Sequence, residues 1–271
     1  MSQAETSSFA TIHHRGRALS LEYRWLNTGA SDAPLLLFLH EGLGSVALWR
    51  DFPARLCAAS GCRGLVYSRP GYGRSTPRPP DERWTPDFLE QQALEVLPAF
   101  LAAVGVDPRR ERVVLFGHSD GASIALIHAV RHGQQLAGAI VLAPHLFVEA
   151  ISVTSIAAAR AAYVDGGLRE RLARFHDDVD SAFWGWNQIW LDPAFRDWNI
   201  AAQLPAIVCP VLAVQGVDDE YGTMAQIDGI AARVPNCELL KLDACGHSPH
   251  RDQPQAVITA ALAWLAARKL V

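Results

Sequence analysis

Three short stretches of this 271-residue chain carry side chains able to act together on an acyl bond. Gly117-His118-Ser119-Asp120-Gly121 sets a serine between two glycines. A serine hydroxyl is a weak nucleophile until a base takes its proton, and Gly246-His247 supplies an imidazole downstream. The imidazole needs a carboxylate to fix its tautomer and steady its positive charge. Asp218, Asp219 and Glu220 stand side by side between serine and histidine, and as neighbours they are equally eligible. His250 competes with His247 as the base. His247 is preferred because it follows Gly246 on a sharp strand exit, and His250 is expected to be a solvated or capping residue.

Glycines punctuate many strand-to-helix turns, so the elements around Ser119 decide what its glycines mean. "RVVLFG" (112–117) is an unbroken apolar run, the pattern of a strand buried on both faces, and "ASIALIHAV" after the pentapeptide reads as a helix. That is the strand–turn–helix setting of a nucleophile elbow, in which neighbouring side chains have no room. The helix then aims its first amides at the reacting centre.

Similar apolar runs recur at 34–40, 63–68, 137–143 and 210–216, with a less uniform one at 237–243 that suits an edge. "FATIHHRG" and "LSLEYRWLN" read as two more strands turning at Gly16, after a polar tail of about eight residues. Helical patterns alternate with the buried runs. In 85–105, Thr85 is expected to cap, Pro86 to sit in the first turn and Pro98 to kink the helix. The last helix begins near Gln255, with Val257, Ala261, Trp264 and Leu265 on one side. The expectation is an α/β fold, a mainly parallel eight-stranded sheet flanked by helices. Its core is expected at 1–145 and 205–271, with 146–204 inserted as a helical cap holding Trp184, Trp186, Trp190 and Trp198.

Composition narrows the class. Half of the residues are hydrophobic, 19% are charged and the formal net charge is −4, with no basic run to serve a nucleic acid. No apolar stretch is long enough to span a bilayer, and "MSQAETSSFATIHHRG" lacks the charged and apolar regions of a secretory signal. A cytoplasmic protein without a membrane partner is expected. Five scattered cysteines are expected to be free thiols, and neither they nor the ten histidines fall at metal-site spacing.

With these pieces the chain resembles the α/β-hydrolase fold family over nearly its whole length. Besides GHSDG, "LHEGLGSVALW" is similar to the family's H-G-x-P-G-S...W loop, and "YSRPGYGRS" to its D-x-P-G-x-G-x-S segment. "GHSPHRDQP" is similar to the G-H-x-x-x-x-E-x-P ending. The order Ser, acid, His is the family's. Its G-x-x-D pattern implies Asp219 as the acid, with Asp218 in reserve. The resemblance also implies an oxyanion hole made by the N–H groups of Asp120 and Gly42, or of Leu43 if the loop is shifted. Glu41 departs from the pattern, which has glycine there. A carboxylate pointing inward would oppose the developing charge, so Glu41 is expected to turn away into a salt bridge.

The reading is a cofactor-free serine hydrolase acting on a carboxylester, lactone or thioester of an apolar or aromatic small molecule. Leu43, His145, Trp186, Trp190 and Tyr221 are candidate substrate contacts. His145 and Tyr221 could equally be loop residues, as could Glu149, and the tryptophans could be cap core alone. His118 and Asp120 either tune Ser119 or face the surface, and Arg69 is expected to order the loop around Gly71. A carbon–carbon bond hydrolase with the same triad and a non-catalytic ligand-binding protein of this fold are the alternatives.

Overall fold

The apolar runs are too short for helices and too continuous for half-exposed strands, and in the computed structural model they form strands covered on both sides. The structure describes residues 7–29 and 32–271, so the first six residues of the polar tail lie outside the described residues. The strands are β1 (Ser8–His14), β2 (Arg17–Leu26), β3 (Leu35–Leu39), β4 (Arg63–Tyr67), β5 (Val113–His118), β6 (Gly138–Leu142), β7 (Val211–Gly216) and β8 (Cys237–Leu242). They form one eight-stranded sheet in the order β1-β2-β4-β3-β5-β6-β7-β8. β1 and β2 are antiparallel, as are β2 and β4, and every other pairing is parallel.

Alternation along each central strand splits the core in two. Leu35, Leu37, Leu39, Val113, Leu115, Ala139 and Val141 pack into the cluster on one face. Leu36, Phe38, Val114, Phe116, Ile140 and Leu142 pack into the cluster on the other. β8 sits at the edge with Glu238, Leu239 and Lys241 exposed, which explains its mixed sequence. The parallel strands all end on one side of the sheet, where folds of this kind bind ligands.

Two local expectations along the 85–105 helix change. The helix starts at Phe88, two residues later than the sequence suggests; Asp87 stands at its N-cap without a side-chain cap bond. Thr85 contributes its carbonyl to Phe88 N–H and pairs its hydroxyl with Asp87. Pro98 has no N–H to give and its ring crowds the carbonyl four residues back. The chain answers with a π-helical turn at Gln92–Val96, immediately before the helix Leu97–Ala103 that carries Pro98 in its first turn.

Between β6 and β7 the chain adds no strand to the sheet. It forms helices Ala150–Val164, Leu168–Leu172 and Val179–Trp190 instead. Phe147 and Asn199 bridge antiparallel at the base of this segment, and Ile200 N–H donates to the Leu146 carbonyl at 2.8 Å. Ile156, Phe183 and Trp190 join the same apolar cluster as Leu37 and Leu115. The segment is therefore packed onto one face of the sheet, over the strand ends.

Candidate active site

β5 ends at His118, and the next residue begins the turn into the helix Asp120–His132. Ser119 has φ 52° and ψ −119°, a conformation unfavourable for a residue with a side chain. The Ser119 N–H donates to the Leu142 carbonyl on β6 at 2.9 Å, so the sheet holds the strained residue in place. A Cβ at Gly121 would run into the Leu39 carbonyl, and one at Gly117 into the backbone of Gly121. The glycines thus let the turn close tightly, as the sequence context suggested.

His247 comes from the loop after β8 and reaches Ser119 directly. Its Nε2 lies 2.9 Å from Ser119 Oγ and its Nδ1 lies 2.8 Å from Asp219 Oδ1. Asp219 is buried, whereas Asp218 and Glu220 are exposed. The Asp219 carboxylate accepts from four donors. They are His247 Nδ1, the N–H of Tyr221 (2.8 Å), the N–H of Gly222 (3.2 Å) and Gln215 Nε2 (3.2 Å). Burial alone would raise its pKa, but the bond and charge of His247 and the Tyr221 amide hold it below the usual value. Glu220 Oε2 accepts from the His247 N–H at 3.1 Å, and His118 Nε2 donates to the His247 carbonyl at 2.7 Å. His247 is therefore gripped through its backbone as well as its ring.

A cavity of about 160 Å³ opens over Ser119. It is lined by Gly42, Leu43, His145, Trp186, Trp190 and Tyr221, which include all the substrate contacts named from sequence, and by Asp120 and His247. Ile156, Ser248, Glu41 and Glu220 also line it. Sequence reasoning missed Ile156, and no local signal marks it. It is one apolar residue among many on its helix. Cavities of about 270 Å³ beside Arg17 and Trp84 and about 480 Å³ beside Pro98 and His132 contain no serine or cysteine. Glu149 is not in the site, because Thr223 and Gln226 occupy its carboxylate.

The alpha/beta hydrolase family model matches residues 36–261. The chain belongs to the alpha/beta hydrolase family. The hydrolase is similar in structure to a hydrolase from Pseudomonas aeruginosa, at 24% identity and TM-score 0.73 over 97% of this chain and 99% of that one. It is similar to a malate-bound thermophilic esterase from Thermogutta terrifontis, at 21% identity and TM-score 0.72 over 97% and 99%. An enol-lactonase from Burkholderia xenovorans matches at 18% identity and TM-score 0.73 over 96% and 100%. No curated protein sequence matches the chain.

Around Ser119, His247 and Asp219 several side chains depart from expectation. His250 is buried rather than solvated, with ring centroids 4.8 Å from Trp49, 5.5 Å from Phe52 and 4.7 Å from His118. Burial pushes its pKa far down, so it sits there as a neutral ring. His118 and Asp120 are buried too, which removes the surface-facing reading of both. Asp120 accepts from Trp190 Nε1 at 3.1 Å. Glu41 lies 3.5 Å from His118 Nδ1 and forms an ion pair with Arg251 at 3.6 Å. Burial opposes its ionisation, yet His118 and then Arg251 hold its pKa well below the usual value. His145 is neutral, its pKa lowered by burial to about 3. Arg69 accepts from the Tyr72 N–H at 3.0 Å across the turn at Gly71, and its guanidinium also bonds to the 40–41 backbone. The five cysteines are unpaired.

Proposed function

We propose that this hydrolase cleaves an ester-type bond (carboxylester, lactone or thioester) of a small molecule through an acyl-enzyme on Ser119. The observation that carries the reading is the unbroken chain Ser119 Oγ, His247 Nε2, His247 Nδ1, Asp219 Oδ1, with links of 2.9 and 2.8 Å. His247 takes the serine proton as Oγ attacks the acyl carbon. The carbonyl oxygen becomes an oxyanion, met by the N–H groups of Gly42 and Asp120. Asp120 opens its helix, and the first amides of a helix have no intrahelical acceptor. His247 then gives its proton to the leaving oxygen or sulfur, and water repeats the sequence to release the acid. Residues 146–204 act as the cap, and Trp186, Trp190, Ile156 and Leu43 give an apolar, partly aromatic wall suited to a compact acyl group.

Incubation with a fluorophosphonate and peptide mapping of the adduct tests the nucleophile. The mass increment should fall on Ser119 and disappear in His247→Ala, and a generic aryl ester should turn over. A label on any other residue would sink the assignment. So would silence under conditions where a control serine hydrolase reacts.

A further inference from the structure

Arg69 takes no part in the triad, yet its side chain is fully buried beside it. Its Nε and Nη1 have no hydrogen-bond partner, and its guanidinium lies 4.7 Å over the Tyr72 ring. A buried cation with three of its five N–H donors unused is an expensive way to gain stability. Its Nη2 donates to the Glu41 carbonyl at 2.9 Å and lies 3.7 Å from Asp120 Oδ2.

The Glu41 carbonyl has further donors. The Arg69 N–H donates to His40 Nε2 at 3.0 Å, so His40 carries its proton on Nδ1 and donates it to the Glu41 carbonyl at 2.7 Å. Burial keeps His40 neutral, which preserves that tautomer. Gly44 N–H donates to the same oxygen at 3.0 Å. Three donors therefore converge on one carbonyl, and the other end of that peptide is the Gly42 N–H. In a planar trans peptide the two ends point in opposite directions. Anchoring the oxygen thus fixes where the Gly42 N–H points, and polarising it makes that N–H a stronger donor. His176 repeats the device two peptides along. Gly73 N–H donates to its Nδ1 at 2.9 Å, and its Nε2 donates to the Leu43 carbonyl at 3.0 Å.

We propose that Arg69 is a positioning residue for the oxyanion hole. It holds the Gly42 N–H through the Glu41 carbonyl and ties it to the Asp120 segment, which supplies the second donor. This rests on the acyl-enzyme reading above. If Arg69 only neutralised Asp120, removing both charges would leave the chemistry alone. The test therefore compares Arg69→Met/Asp120→Asn with Asp120→Asn, each checked by circular dichroism and thermal unfolding. It measures kcat and KM on an aryl ester and the inhibition constant of a trifluoromethyl ketone, which adds Ser119 to give a bound oxyanion. Relative to Asp120→Asn, the double variant should lose about 100-fold in kcat, the scale of one oxyanion donor. Affinity for the ketone should fall in parallel, with KM changed less than about threefold. Arg69→Lys keeps the charge and one donor in a core close to wild type, and serves if the double variant does not fold. It should lose about tenfold in kcat and in ketone affinity together. Ketone affinity and kcat within threefold of the matched reference would overturn the proposal. Wild-type protein that neither turns over the ester nor takes the Ser119 label would instead overturn the acyl-enzyme reading, and this inference with it.

Discussion

Asp219 and Asp120 are two buried carboxylates beside the same histidine, and their environments push them in opposite directions. Asp219 receives four donors and its pKa falls. Asp120 accepts one hydrogen bond, from Trp190, while Arg69 stands 3.7 Å from its other oxygen; burial wins and its pKa rises. Desolvation works against ionisation in both. What differs is the number of N–H groups aimed at each carboxylate, and those are set by a loop in one case and a helix start in the other. The comparison separates a carboxylate built to stay charged beside an imidazole from one left at a helix start with a single hydrogen bond and an arginine nearby.

The largest test of that division is Asp219→Asn. An amide there can hold His247 in the wrong tautomer, so kcat should fall by about 10⁴ with circular dichroism unchanged. Near-wild-type turnover, with the loss found in Asp218→Asn or Glu220→Gln instead, would remove Asp219 from the chemistry. Asp120→Asn should behave differently. Turnover per folded molecule should drop about tenfold or less, while denaturant titration should show a loss of about 3 kcal/mol from leaving Arg69 unpaired.

Their acid responses should also diverge. The folded pKa of Asp219 lies below its unfolded value. It contributes stability above that unfolded value, about 3.9, and the contribution is lost as pH falls through the folded pKa. The folded pKa of Asp120 is raised, so protonation favours the fold as pH falls through it. Unfolding midpoints followed from neutral to acid pH should thus show Asp219→Asn less acid-sensitive than wild type and Asp120→Asn more so. Parallel curves would mean that the two sites are not distinguished as described. The smallest effect belongs to Asp218→Asn, an exposed position, where stability should move by no more than about 0.5 kcal/mol.

The sheet was legible because each buried strand is a short apolar run, and the edge strand β8 announced itself through Glu238 and Lys241. The elbow was legible because a serine between two glycines has a steric reason only at a tight turn. The choice of Asp219 over its neighbours came from the resemblance, since three adjacent acids look alike until a fold turns one inward. What stayed hidden are contacts between distant segments. Nothing near Arg69 indicates that it meets the carbonyl of Glu41, nor does the sequence around His176 point to Leu43. Local periodicity records which face of an element is apolar, and it carries no information about which loop will lie opposite. The same blindness put Thr85 at a helix start and His250 in solvent.

The buried histidines have a consequence for the whole molecule. His40, His128, His145, His176 and His250 all have pKa values lowered mainly by burial, to about 4 for His128 and about 3 for His145. In the unfolded chain each would take up a proton near pH 6.5, and in the folded chain it does not. Below that point acid draws the equilibrium toward the unfolded state, by about 1.4 kcal/mol per pH unit for each ring that stays neutral in the fold. Rings of this kind act together on a folded domain whose total stability is only about 5–15 kcal/mol. Mild acid therefore works against the scaffold as a whole, through rings buried in several separate parts of the fold, and not only through the groups around Ser119.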